Sequence, residues 1–193
     1  MASKRRDSLA NMDKRLKALS KKLPDSNDQF TVLIALGDPE QLPAATDRAA
    51  ALVAAQFVEH ALEKSIATHL ANGFDEKEIF EGPGAPLGTF SAKIAMAAAL
   101  GIIQRAERED LDTIRNIRNA FAHSMTHISF DDKPVIDLVD ALQGYEAAPI
   151  TLDMREIAGP KKVFVVIASM LYFGLITHFP GADFQAIWSP QLP

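Results

Sequence analysis

Residues 163–179, "VFVVIASMLYFGLITHF", run for 17 positions without an Asp, Glu, Lys or Arg. A helix apolar on every side must be wrapped by lipid or by other helices. At about 1.5 Å per residue the segment is roughly 25 Å long, short of the roughly 30 Å hydrocarbon core of a bilayer. Ser169, Gly174 and His178 also interrupt it. The segment is therefore expected as the buried helix of a bundle and not as a membrane span. Pro160, just ahead of it, suits the first turn of that helix, where its missing N–H is no loss.

A bundle needs further helices. Residues 47–72 supply one, capped by Thr46 or Asp47 and stopped by "NG" at 72–73. Its apolar face is expected to carry Leu52, Val53, Gln56, Phe57, His60, Ala61 and Leu70. "AKIAMAAALGII", capped by Ser91, supplies a second, whose alanines let a neighbour approach closely. A third runs over 107–125, with Leu111, Ile114, Ile117, Phe121 and Met125 as its core stripe and Glu109 and Asp110 complementing its N-terminal dipole. "ISFDDKPVIDLV" has alternating character around Asp131 and predicts a short hairpin or an extended loop. The expected fold is a single all-α, bundle-like domain of about five to seven helices. The 92–103 and 160–179 helices are expected at its centre. A basic arm at 1–28 precedes the helical domain at 29–193.

Charge is unevenly distributed along the chain. Residues 1–22 carry a net charge of +6 while the whole chain carries −5, leaving −11 on the remainder. An acidic body does not suit general binding to phosphate backbones, which requires clustered cations. The arm is the exception. Lys4, Arg5, Arg6, Lys14, Arg15, Lys21 and Lys22 are its candidate nucleic-acid contacts, on a short amphipathic helix marked by Leu9, Met12, Leu16 and Leu19. The alternative is a solvated, frayed terminus. No cysteine is present, which excludes disulfides, thiolate metal sites and cysteine nucleophiles. The arm has no apolar run behind its basic residues, so a cytoplasmic protein is expected.

Three features that resemble sites lack the pattern their chemistry needs. The glycine-rich loop "EGPGAPLGTF" lacks the Gly-Lys-Ser/Thr ending of a phosphate-binding loop and the third glycine of a dinucleotide fingerprint. His60 and His69 lie half a turn out of phase and cannot share a metal from one helix. Asp131, Asp132, Asp137 and Asp140, with His127, lack ligand spacing on a fixed element and are expected as solvated surface. No metal, cofactor or membrane is expected.

One cluster remains, "RNAFAHS" at 118–124. Arg115, Arg118, Asn119 and His123 recur at helical spacing and line a polar strip opposite the core stripe. Arg118 and His123 are about 140° apart around the helix and do not meet along it. Metal-free RNA cleavage needs a base, an acid and cations for the phosphorane, and two copies of this helix across a dimer would supply them. The structural alternative pairs Arg115 and Arg118 with acidic residues of a neighbouring helix. Asn119 and His123 would then bond the backbone of the glycine-rich loop.

"PLGTFSAKI" (86–94), "ALGII" (99–103), "DLDTIRNIRNAFAHS" (110–124) and "SFDD" (129–132), in this order, resemble the mannitol operon repressor (MtlR) family over roughly residues 30–180. The resemblance implies an all-helical transcriptional regulator or corepressor without a DNA-reading module, acting through a partner protein. The Arg-Asn-x-x-x-His run at 118–123 is separately similar to the motif of the HEPN superfamily, many of whose members are metal-independent ribonucleases acting as dimers. That likeness implies His123 as acid or base, Arg118 as the phosphate-binding cation and Asn119 as the residue orienting one of them. The partners so implied are another protein, a second copy of this chain, or nucleic acid at the arm or the strip. The acidic body places the regulator ahead of the ribonuclease.

Overall fold

The computed structural model describes residues 46–70, 75–144 and 152–177, and of 152–158 the backbone alone. The basic arm, its seven candidate cations, the "QFTVLIALG" run and the Pro-rich tail lie outside the described residues. Among the described residues six helices follow one another: α1 (Asp47–Ala67), α2 (Glu76–Phe80), α3 (Phe90–Ala99), α4 (Arg105–His123), α5 (Lys133–Ala141) and α6 (Leu152–Ile176). No strand occurs among the described residues, and the architecture is an all-α bundle.

α6 is the axis of the bundle. The stretch Gly159–Ile176 is long and apolar enough to cross a membrane, yet residues 163–173 are all buried against the other helices. A fully buried Phe, Ile or Leu is worth about 1.5–3 kcal/mol relative to exposure. Phe164, Ile167, Leu171 and Phe173 thus make this helix a main source of cohesion. Its buried part begins at Pro160, as expected. Helical backbone is present from Leu152, is interrupted at Gly159 (φ 74°, ψ 161°), and resumes with Pro160 at the head of the buried part.

The principal partner of α6 is α1, and not the 92–103 segment. Thr46 caps α1, its hydroxyl accepting from the Ala49 N–H at 3.1 Å. The inward face is Ala50, Ala51, Ala54, Ala55, Val58, Ala61, Leu62 and Ile66. The expected face is therefore rotated. Gln56 and His60 are exposed, and Val53 and Phe57 are only partly buried at the rim of the core. The large side chains misled because alanine fits better where another helix lies close. The helix also ends earlier, at Ala67.

α3 packs on α1 and α4. Thr89, not Ser91, is its cap, with Oγ1 accepting from Ala92 N at 3.2 Å. It stops at Ala99 through a Schellman closure: Gly101 N bonds Ala98 O (3.2 Å) and Ile102 N bonds Ala97 O (2.9 Å). Gly101 takes the left-handed φ of 71° that this closure needs.

α4 starts two residues before the expected position and ends at His123. Leu111, Ile114, Ile117 and Phe121 are fully buried, as their spacing predicts. Met125 lies beyond the helix end and is wholly exposed, so it leaves the core stripe. Asp110 does more than complement a dipole. It is 1% exposed and accepts the backbone N–H groups of Gln143 and Gly144, each at 2.8 Å, which ties the end of α5 to α4.

The expected hairpin is a loop followed by a helix. Pro134 falls in the first turn of α5, a position that favours helix, and Val135 and Val139 point inward four apart. That spacing takes precedence over the β-branched alternation.

Candidate functional site

The polar strip forms on the outer side of α4 because its other side is committed to the core. Arg115 is half-buried and pairs with Asp112 of its own helix at 3.3 Å, not with an acid on a neighbour. Its second amino group donates to Asn116 Oδ1 at 3.4 Å. Arg118 is also half-buried. Its Nη1 donates to Asn119 Oδ1 at 3.0 Å, and among the described residues no carboxylate faces it. His123 is the last residue of α4, exposed, with no hydrogen bond or ion pair from its ring among the described residues. Arg118 and Asn119 are thus brought together and His123 stands apart, as its rotation around the helix predicts. None of the three is bonded to the glycine-rich loop. That loop is held by its own contacts, with Leu87 N on Ile79 O at 2.9 Å and the Leu87 side chain buried.

Immediately after His123 the chain is clamped to the start of α1. Arg48 Nη2 donates to the carbonyl oxygens of Ser124 (2.9 Å) and Thr126 (3.4 Å). Asp47 Oδ2 accepts from Ser129 Oγ (2.8 Å) and Phe130 N (3.0 Å). Its other oxygen faces Lys161 Nζ of α6 at 3.4 Å. Burial works to raise the Asp47 carboxyl, but the Phe130 N–H, the Ser129 hydroxyl and the Lys161 ammonium together hold it below the usual carboxylate range. Phe130 is buried between two rings, 4.9 Å from Phe121 of α4 and 5.2 Å from Phe164 of α6.

Sequence reasoning placed Asp47 only as a cap and did not single out Arg48. No local signal could have done so, since their partners lie at least 76 residues away. Nor did it single out Lys93, which is 5% exposed and meets Glu63 (2.8 Å) and Glu59 (3.1 Å) of α1. Burial would lower the Lys93 ammonium, yet the bonds to Glu63 and Glu59 leave it raised. With its ammonium held between two carboxylates of α1, the cluster reads as a brace between α1 and α3.

The acidic loop is used locally. Asp132 Oδ2 accepts from Ser129 N at 2.8 Å, and Asp137 pairs with Lys133. His60 and His69 are both exposed on or just after α1. Among the described residues no three His, Asp or Glu side chains group as a metal site.

No family model, curated protein or solved structure matches the chain. The likeness to mannitol operon repressors and to HEPN proteins therefore rests on the residues quoted for it.

Proposed function

We propose that this chain is a transcriptional regulator or corepressor of the mannitol-repressor type, acting by contact with a partner protein through the face that carries Arg118, Asn119 and His123. The observation that carries this reading is where the body's cations are placed. Lys64, Lys93, Arg105, Arg115, Lys133 and Lys161 each face a carboxylate within ion-pair distance. Cations already neutralised in this way release few counterions from a nucleic acid, which weighs against the body gripping DNA directly. Arg118, like Arg48, Lys77 and Arg108, has no carboxylate within ion-pair distance among the described residues, and of these it alone lies on the polar strip with Asn119 and His123, available to an anionic group of a partner.

A second reading is favoured by the same residue. Arg118 oriented by Asn119, with an exposed imidazole at His123, offers a phosphate-binding cation and one proton-transfer group. A metal-independent ribonuclease of HEPN type would take the second proton-transfer group from another copy of the chain. Two assays on purified protein separate the readings. The regulator is expected to leave promoter DNA unshifted alone, to shift it once its partner is added, and to leave labelled mixed-sequence RNA intact in EDTA. Cleavage of that RNA by the parent, and by neither Arg118→Ala nor His123→Ala, would replace the regulator with the ribonuclease. Loss of partner capture in Arg118→Ala with the fold intact would locate the contact on the strip.

A further inference from the structure

The imidazole of His123 makes no hydrogen bond or ion pair among the described residues, so its position is set by the backbone that carries it. That backbone is at the end of a helix, where the last carbonyl groups have no N–H of their own helix to accept from. Ser124 leaves the helix at once (φ −66°, ψ 123°). Its hydroxyl donates to Thr126 O at 2.9 Å and accepts from Thr126 N at 3.3 Å, closing a small turn. A free helix end of this kind frays. Here it is not free. The Arg48 guanidinium, reaching from the first turn of α1, donates to both carbonyls of that turn, at Ser124 and Thr126. Its positive charge also lies at the negative end of the α4 dipole, a favourable placement.

We infer that Arg48 is a positioning residue for the strip: it fixes the C-terminal end of α4, and with it the point from which His123 projects relative to Arg118 and Asn119. The inference rests on the reading of the strip as the contact face of the chain. It adds a residue from another helix, remote in sequence, on which that face depends. Asp47 and Phe130 hold the loop farther along, at 129–130, whereas Arg48 holds the turn next to His123 itself. Both bonds leave one nitrogen, Nη2, so lysine keeps the charge and can reach a carbonyl, but its flexible stem holds the ammonium less firmly than the planar guanidinium is held.

The test compares full-length parent, Arg48→Ala and Arg48→Lys by NMR. Amide exchange is read along α4 and residues 124–126, the His123 ring resonance is followed, and inorganic phosphate is titrated as an anionic probe of the strip. For Arg48→Ala, exchange at Ser124 and Thr126 is expected to quicken by about tenfold or more, with the first half of α4 unchanged. The His123 resonance should move or broaden, and the phosphate-induced shift seen in the parent should need a severalfold higher concentration. Arg48→Lys should fall between the two. Unchanged exchange at 124–126, or an unchanged His123 resonance in Arg48→Ala, would overturn the inference. A parent that shows no response to phosphate, with exchange still quickened in the variant, would instead count against the strip as an anion-binding face and leave the positioning role standing.

Discussion

Asp47, the first residue of α1, accepts the backbone N–H of Phe130 at 3.0 Å across 83 residues of sequence. The same carboxylate oxygen takes the Ser129 hydroxyl, and the other oxygen faces Lys161. One side chain thus joins the start of α1, the loop after α4 and the head of the buried part of α6. Removing it leaves the Phe130 N–H without this acceptor and takes one carboxylate away from Lys161. Asp47→Ala is expected to lower stability by about 1.5–3 kcal/mol, the range for hydrogen bonds to a charged group, as measured by urea denaturation. A loss within about 0.5 kcal/mol would mean that water replaces the carboxylate.

The acid side of the stability profile should carry the signature of Asp47. Its folded value lies below the usual carboxylate range, so its contribution is complete above that range and is lost as pH falls through the folded value. Asp47→Asn should flatten the dependence of stability on pH below about 4 relative to the parent. Parallel profiles for the two proteins would assign the acid transition to other carboxylates.

Lys93 predicts an effect at the opposite end of the scale. Its folded value is raised, so its contribution is complete below the usual lysine range and disappears as pH rises through the folded value. Lys93→Ala would leave Glu59 and Glu63 facing each other near the core, at an expected cost of about 3–5 kcal/mol. The triple variant Lys93→Met, Glu59→Gln, Glu63→Gln should recover much of that loss in thermal denaturation. No recovery would show that the ion pairs themselves stabilise the fold, since methionine keeps the packing of the lysine stem.

Phe130 stands between the motif helix and α6. Phe130→Ala opens a cavity between Phe121 and Phe164 and should cost about 3–5 kcal/mol. Phe130→Leu should cost distinctly less. Equal losses in the two variants would indicate that ring stacking, not volume, supplies the stability.

Gly159 carries the interruption of α6 at φ 74°. A Cβ there would meet nothing within 4 Å, so Gly159→Ala isolates the backbone term. Its expected cost is about 1–2 kcal/mol, read from the denaturation midpoint at unchanged slope. A neutral result would mean that the backbone relaxes out of the left-handed region.

The helical class and the burial of α6 were legible in the sequence because both rest on long-range composition: a charge-free run and a repeating stripe. The inward face of α4 was legible for the same reason, since Leu111, Ile114, Ile117 and Phe121 are large and regularly spaced. The face of α1 was not. Its inward positions are mostly alanine, and a pattern scored on bulky residues points elsewhere. Within the site, the separation of His123 from Arg118 followed from rotation along one helix, whereas the bond from Arg118 to its neighbour Asn119 depends on side-chain reach, which spacing does not give. The acidic partners expected for Arg115 and Arg118 on a neighbouring helix did not appear, because the nearer Asp112 and Asn119 on α4 itself engage them.

The sequence alone determined that α1, α3, α4 and the buried part of α6 are helical and which surface of α4 stays polar, since these depend on residues within a few turns of one another. Only the tertiary structure decided that Arg48 and Asp47 grip the chain beyond His123, that Lys93 is buried between two glutamates, and that Asp110 holds the end of α5. In these cases the partners are separated by thirty residues or more, and a local pattern carries no information about which distant group will need a charge.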